Sequence, residues 1–257
     1  MRIVDLSAPI DAGQPEADQI SHTILSPAEG ARHMSEQVRA RLGLRLDPAD
    51  LPDGEFLSLD TLTLTTHTGT HVDAPAHYGS TASYGVPETI DQLPLDWFYR
   101  PAVVLDISKA EGHIASADHL RDELDRVGYT PRPLDIVLLY TGAQEWAGTE
   151  RYFTDFIGLD GAGVHLLLDL GVRVIGTDAF SLDAPFGDII ERYTASREPA
   201  VLWPAHVIGR DRKYCQIERL TNLDSLPPYG FRLACFPVKI TGAGAGWARA
   251  VALLEES

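Results

Sequence analysis

The sequence predicts a mixed α/β fold built around a mixed sheet. Apolar runs typical of buried strands recur along the chain, segments with helical spacing lie between them, and strands outnumber helices in an irregular order. The 257 residues suffice for one large hydrophobic core, and no internal repeat or Pro/Gly/Ser-rich linker divides them. We therefore predict a single domain over residues 1–257.

The first part of the chain contains a predicted inserted segment of helix and loop at about residues 11–55. A short strand is predicted before it, over residues 2–7. Residues 11–30 are rich in Pro, Gly and Asp without clear periodicity, which predicts a loop or lid. Residues 27–44 carry strong helix formers and a terminating Gly43, which predicts an exposed helix.

A period of two begins near residue 56 and predicts a half-buried strand. Leu62 and Leu64 alternate with threonines, so the leucines are expected to face the core and the threonines the polar side. The rest of the chain predicts strands at 102–108, 135–142, 172–180 and 214–220, helices at 116–128 and 159–171, a further apolar segment at 231–242, and a strand or short helix at 248–256.

Composition excludes several classes of partner. The 21 basic and 37 acidic residues give a net charge of −16, which disfavours binding to nucleic acid or to anionic membranes. No apolar run approaches the ~20 residues of a membrane span, and the first ten residues lack the pattern of a signal peptide. Cys215 and Cys235 lack metal-type spacing and are expected to be buried thiols. We expect a cytoplasmic protein.

The segment THTGTHVDAPAHY (66–78) concentrates side chains that can bind a metal. His67, His71, Asp73 and His77 all occupy odd positions, so a strand continuing through them would present them on one polar face. Two neutral imidazoles and one carboxylate are a common ligand set for a catalytic zinc or a related divalent ion. The alternative is a polar strand face whose histidines are merely solvated.

Two further side chains have roles that the spacing alone leaves open. His77 need not be a ligand, because a histidine beside a metal-activated water can accept and return protons. Glu218 lies in an otherwise apolar predicted strand, where a buried carboxylate needs a cationic partner.

The motif H-T-G-T-H-V-D-A-P-A-H closely resembles the H-x-G-T-H-x-D-x-P-x-H signature of a family of metal-dependent hydrolases known as cyclases. Bacterial kynurenine formamidase and isatin hydrolase belong to that family. Further segments resemble the family along residues 1–10 and 56–254, among them VDLSAPI, DIVLLYTG and GVRVIGTDAFSLDAP. The resemblance implies a swivelling β/β/α domain that assembles as a homodimer or a higher homo-oligomer.

The resemblance also assigns roles to individual residues. It implies that His67, His71 and Asp73 bind metal and that His77 is the catalytic acid and base. In the kynurenine formamidase branch, a later His and Glu twelve positions apart complete a two-zinc site, and His206 and Glu218 stand at that spacing here. Isatin hydrolase is similar to a one-metal version with Gln at the Glu position, so Glu218 favours two ions.

The function implied is hydrolysis of a small molecule at a C–N bond of an amide, formamide or lactam, with a lactone as a further candidate. The implied cofactor is a divalent metal, zinc in preference to manganese, with one or two ions per subunit. One alternative is a cyclase, dehydratase or isomerase that acts on a natural-product intermediate at the same site. Another is a non-catalytic module that binds a metal or ligand.

Some segments depart from the family or carry weaker signals. The early W-P-G-D-type stretch associated with an aromatic substrate pocket is absent. The aromatic run at 97–99 is expected to pack in the core or in a dimer interface. Asp178, Ser181 and Asp183 follow a predicted strand and are expected to support the site or a subunit contact, without a catalytic role.

Overall fold

The computed structural model describes residues 1–255 and confirms the mixed α/β class. Its main feature is a nine-stranded mixed sheet. The backbone forms two compact units, one made of residues 1–10 together with the chain from residue 66 onward, the other of residues 11–65. A single domain over 1–257 stays a prediction, and its last two residues lie outside the described part of the chain, as does the end of the segment predicted at 248–256.

The regular elements of residues 1–255 are as follows. The strands are β1 (Arg2–Asp5), β2 (Ser21–Leu25), β3 (Leu59–Thr63), β4 (His71–Asp73), β5 (Tyr99–Asp106), β6 (Ile114–Ala115), β7 (Ile136–Tyr140), β8 (Gly158–Leu159), β9 (Val174–Thr177), β10 (Cys215–Glu218), β11 (Phe231–Ala234), β12 (Ala245–Trp247) and β13 (Val251–Leu254). The helices are α1 (Pro27–Leu42), α2 (Pro75–Tyr78), α3 (Ala117–Val127), α4 (Gly161–Asp169), α5 (Phe186–Ser196) and α6 (Pro204–Ile208).

The large sheet belongs to the larger unit and has the order β1-β13-β11-β5-β7-β9-β10-β4-β12. Its centre, from β5 to β10, is parallel, whereas β4 is antiparallel to both β10 and β12. The central strands are the continuous apolar runs that the sequence predicted, because strands covered on both faces need apolar side chains throughout. The antiparallel insertion of β4 places the middle of the THTGTHVDAPAHY segment inside the sheet.

Both faces of the central strands are buried. In β5, Ala102 and Val104 contribute to one hydrophobic cluster, while Val103 and Leu105 contribute to the other, and β7 alternates in the same way. The second cluster includes apolar residues of α3 and α4, which confirms the two helices predicted between the strands. A fully buried leucine contributes roughly 1.5–3 kcal/mol, so these two layers give the site a rigid support.

The smaller unit confirms one prediction and corrects two. Helix α1 begins with a capping box of Ser26 and Glu29 and ends at Gly43, whose φ is +66°, as predicted for residues 27–44. The expected loop over residues 11–30 is wrong in part, because β2 occupies its later half and pairs with β3. Leu62 was expected in the core but is 48% exposed, since β3 forms a two-stranded ribbon with exposed residues along its whole length.

Other expectations are settled by the larger unit. Within the segment predicted at 248–256, Val251–Leu254 form strand β13, and Cys215 and Cys235 are buried free thiols. Phe98 is fully buried in the first cluster, with Trp97 packed against it, whereas Tyr99 is exposed. Within the described residues, no helix is both long enough and apolar enough to traverse a bilayer.

Candidate active site

The four predicted site residues of the THTGTHVDAPAHY segment come from three kinds of local structure. Strand β3 ends at Thr63, residues 66–70 form a turn, and β4 begins only at His71. Within this turn Gly69 has a φ of +65°, a conformation that favours glycine. The expectation that one continuous strand face carries positions 67–77 is therefore wrong, because this turn interrupts the alternation.

Helix α2 supplies the last of the four residues. Pro75 occupies its first turn, where the missing N–H is no loss, and His77 lies in its last turn. The chain thus contributes His67 from a turn, His71 and Asp73 from alternate positions of β4, and His77 from a short helix. Their convergence results from the tertiary fold and not from strand periodicity.

The imidazoles of His67 and His71 both approach one carboxylate oxygen of Asp73. Asp73 Oδ1 lies 3.0 Å from His67 Nδ1 and 3.3 Å from His71 Nε2. The two imidazole nitrogens lie 3.2 Å from each other. His71 and Asp73 are buried, and His67 is about one-third exposed. The arrangement leaves one side of the group, that of His67, open to a ligand.

The remaining two predicted residues join the same group from elsewhere in the chain. Antiparallel pairing of β10 with β4 sets Glu218 opposite His71, with Oε2 of Glu218 3.6 Å from His71 Nε2. Helix α6 directs His206 Nε2 to within 3.8 Å of Glu218 Oε1 and 3.9 Å of Asp73 Oδ2. The fold therefore brings together all six residues predicted from the sequence.

In His71 and His206, a hydrogen bond at Nδ1 leaves Nε2 as the ring nitrogen that faces the other site residues. The Nδ1–H of His71 donates to the carbonyl of Gly69 at 2.9 Å, and the Nδ1–H of His206 donates to Asp183 Oδ2 at 2.6 Å. In the neutral tautomer, each ring then presents the lone pair of Nε2 to the centre of the group. This arrangement suits a metal-binding histidine, whose other ring N–H is held by a hydrogen bond.

The two buried carboxylates indicate that a cation belongs here. Asp73 is fully buried, and among the described residues neither of its carboxylate oxygens has a hydrogen bond of acceptable geometry. Burial and the neighbouring charge of Asp73 raise the pKa of Glu218. Two adjacent buried carboxylates are costly without a compensating positive charge. The donor set of imidazole nitrogens and carboxylate oxygens fits a divalent metal.

Two overlapping sets of three residues have ligand atoms within 4.8 Å of one another. One set is His71, Asp73 and Glu218, and the other is His67, Asp73 and His77. Asp73 belongs to both, which is the arrangement expected of a carboxylate shared by two ions. The second set also places His77 within ligand distance, although the family resemblance implies that it is the catalytic acid and base.

The surroundings of His77 keep its imidazole neutral. Burial lowers the pKa of His77 to about 4; the charge of Asp73 opposes this shift, while the imidazoles of His67 and His206 add to it. The ring centroid of His77 lies 4.3 Å from that of His67 and 5.5 Å from that of His206. A neutral imidazole at this place can accept a proton at pH 7.

Sequence reasoning named Asp183 only as a supporting residue, and the structure gives it a definite contact. Asp183 is fully buried and hydrogen-bonds His206, while the backbone N–H of Leu182 donates to Glu218 Oε1 at 2.9 Å. The available signal was the acidic residue shortly after the buried strand β9. Asp178 instead accepts hydrogen bonds from the backbone N–H groups of Thr141 and Gly142.

The chain resembles known proteins in both sequence and fold. Residues 4–184 match the model of the family described as "Putative cyclase". A kynurenine formamidase of Salinibacter ruber is 30% identical over 199 residues, which cover 77% of this chain and 81% of that protein. A kynurenine formamidase of Paracidovorax citrulli is 28% identical over 250 residues, covering 96% of this chain and 94% of the relative.

Solved structures share the fold at lower identity. An isatin hydrolase bound to the product analogue thioisatinate superposes with a TM-score of 0.75 at 22% identity, covering 99% of this chain and 92% of that one. Isatin hydrolase A from Labrenzia aggregata gives a TM-score of 0.74 at 23% identity, with coverages of 99% and 94%. The match to the family model over residues 4–184 and the 30% identity to the Salinibacter ruber relative show that the protein belongs to the "Putative cyclase" family.

Proposed function

We propose that this protein is a metal-dependent hydrolase that cleaves a C–N bond of an amide, formamide or lactam. The observation that carries the proposal is the convergence of three imidazoles and two buried carboxylates on one group, with His77 beside it. Relatives named kynurenine formamidase and fold neighbours named isatin hydrolase support this reaction class. A lactone is a further candidate substrate, because its carbonyl presents the same electrophile.

The proposed cofactor is one or two divalent ions, with zinc preferred over manganese. His67, His71 and Asp73 would hold the first ion, and His206 and Glu218 would complete the site for a second. Zinc is favoured because imidazole and carboxylate donors in a small ligand set suit it. When bound, such an ion lowers the pKa of a coordinated water and polarises the substrate carbonyl.

The proposed role of His77 is proton transfer. Its neutral imidazole accepts a proton from the attacking water and returns it to the leaving nitrogen, which would otherwise depart as an unstable anion. Burial of the site on β4 and β10 excludes bulk water from the far side of the group. His67 and His206 flank the His77 ring and restrict its orientation.

Hydrolysis can be separated from the two alternative functions in one assay series. Zinc-loaded protein is incubated in oxygen-18 water with an aryl formamide, a lactam fused to an aromatic ring, and a lactone. We expect turnover of at least one substrate, with label in the product carboxylate. Turnover of a natural-product-like substrate without label would favour a cyclase, dehydratase or isomerase. Bound metal with no turnover across the series would favour a binding module.

We also propose that the protein is a homodimer or a higher homo-oligomer. Support comes from the smaller unit, where Ile24, Leu57 and Leu62 are 58%, 72% and 48% exposed on or beside the two-stranded ribbon. Exposed apolar side chains grouped in this way commonly mark interfaces. We expect light scattering to give at least twice the 28.1 kDa chain mass. The chain mass itself would contradict the proposal.

A cytoplasmic location and a small-molecule substrate complete the proposal. The free thiols of Cys215 and Cys235 suit a reducing compartment, and the net charge of −16 disfavours nucleic acid and anionic membrane partners. Fractionation of cells that produce the native protein tests the location, and recovery in an exported fraction would refute it.

A further inference from the structure

We infer that residues 182–183 are the positioning element of the second-ion half of the site, with Asp183 as its key side chain. The inference rests on the proposed two-ion function. It assigns to Asp183 the task of holding His206 in the orientation and tautomer that a second ion needs. The same short segment also holds Glu218, so it touches both residues that would distinguish a two-ion site from a one-ion site.

Both carboxylate oxygens of Asp183 accept hydrogen bonds from residues 205–206, the segment that carries His206. Its Oδ2 accepts the Nδ1–H of the His206 ring at 2.6 Å and the backbone N–H of His206 at 3.1 Å. Its Oδ1 accepts the backbone N–H of Ala205 at 2.8 Å. These three hydrogen bonds, all accepted by one buried carboxylate, fix the ring of His206 relative to its own backbone. A carboxylate that accepts from a ligating histidine also increases the basicity of the opposite nitrogen.

Leu182, the residue before Asp183, contacts Glu218, the other proposed ligand of the second ion. The backbone N–H of Leu182 donates to Glu218 Oε1 at 2.9 Å, which directs the other carboxylate oxygen, Oε2, toward His71. Leu182 is itself tied to β8, because its carbonyl accepts the backbone N–H of Leu159 at 2.8 Å. The segment is therefore held by a backbone hydrogen bond to β8 that does not depend on the ions.

A glycine makes this close approach possible. A Cβ added to Gly158 would lie 2.3 Å from the carbonyl carbon of Asp183 and 2.3 Å from the backbone nitrogen of Ala184. Backbone atoms cannot rotate away from such a contact, so any side chain at position 158 would displace Asp183. This gives a second way to disturb the positioning element without altering a polar group.

The effect should be confined to one half of the site. His71 is oriented by the carbonyl of Gly69, and Asp73 lies in β4, paired with β10 and β12. The Asp183 carboxylate accepts from Ala205 and His206, and it meets the His206 ring at Nδ1, whereas Nε2 is the ring atom 3.9 Å from Asp73 Oδ2. Loss of Asp183 should therefore weaken the second ion and leave the first ion bound.

The test is a metal titration of Asp183→Asn and Gly158→Ala, with affinities measured by chelator competition and ion counts by elemental analysis. We expect wild-type protein to bind two zinc ions, and both variants to bind the second ion about 10- to 100-fold more weakly with the first unchanged. Excess zinc should restore the second ion. Asp178→Asn, at an equally buried carboxylate that bonds only backbone and Thr141, and Gly187→Ala, where a Cβ would meet nothing within 4 Å, should retain both ions.

A measurement on the metal-free protein separates this inference from the proposed function. The short hydrogen bond between His206 Nδ1 and Asp183 should give a far-downfield proton resonance. Asp183→Asn should abolish the resonance of His206, and Asp178→Asn should retain it. Loss of the resonance together with weaker second-ion binding supports the inference even if no amide is hydrolysed. An unchanged second-ion affinity, or a wild-type protein that binds a single ion with the same affinity as Asp183→Asn, overturns it while leaving the hydrolase proposal intact.

Discussion

Replacement of His77 by alanine is expected to lower kcat/KM by about 100- to 10,000-fold, the range typical of a lost general acid or base. The metal content should not change, because His67, His71 and Asp73 meet one another without it. The loss arises because the other imidazoles of the group, those of His67, His71 and His206, are the proposed metal ligands. Parallel measurements of turnover and of zinc content in wild type and His77→Ala check both statements.

The control for this substitution is His165→Ala, which removes an exposed histidine of α4 outside the site and should leave turnover and metal content unaltered. His77 also lies within ligand distance of His67 and Asp73, so an ion could depend on it. If His77→Ala lost one ion, His77 would be a ligand and not the proton carrier. If it retained full turnover, His77 would have no part in the reaction.

The sequence predicted correctly those features that depend on the types of residue within one short segment. Helix α1 was predicted from its helix formers and Gly43, and the central strands from apolar runs, since burial on both faces leaves a direct trace in composition. The motif at 67–77 also identified its chemistry, because imidazoles and carboxylates crowd together there. Its geometry was predicted incorrectly, since the turn at Gly69 breaks the alternation on which the strand-face argument depended.

What spacing could not predict is the tertiary pairing. Glu218 reaches His71 only because β10 pairs with β4, which are more than a hundred residues apart in the chain. Helices α5 and α6 were not predicted, although α6 carries His206. Five residues from Pro204 to Ile208 are too few to show helical periodicity. The roles of His206 and Glu218 therefore came from the family resemblance, and their proximity from the fold.

Substitution of Glu218 by glutamine is expected to change stability in opposite directions with and without metal. Burial and the charge of Asp73 raise the pKa of Glu218. A carboxyl group whose pKa is raised by folding contributes stability below its unfolded pKa and loses that contribution as the pH rises through its folded pKa. At pH 8, well above the unfolded pKa of a glutamate, the Glu218 carboxyl therefore destabilises metal-free protein. Glutamine removes the charge and keeps an oxygen for the Leu182 N–H, so the metal-free variant should melt above wild type.

With metal present, the order should reverse. Zinc at about 1,000 times its Kd stabilises a folded protein by about 4 kcal/mol per site. For a chain of this length, about 4 kcal/mol corresponds to a rise of roughly 8–16 °C in Tm. The Glu218→Gln variant should lack this rise for the second ion. The measurement is thermal unfolding at pH 8 in EDTA and across a zinc titration, with Glu191→Gln, an exposed change of equal charge on α5, as the matched control. A variant that melts below wild type in EDTA would mean that Glu218 serves the fold and not the metal. Equal gains in Tm from zinc in both proteins would remove Glu218 from the ligand set.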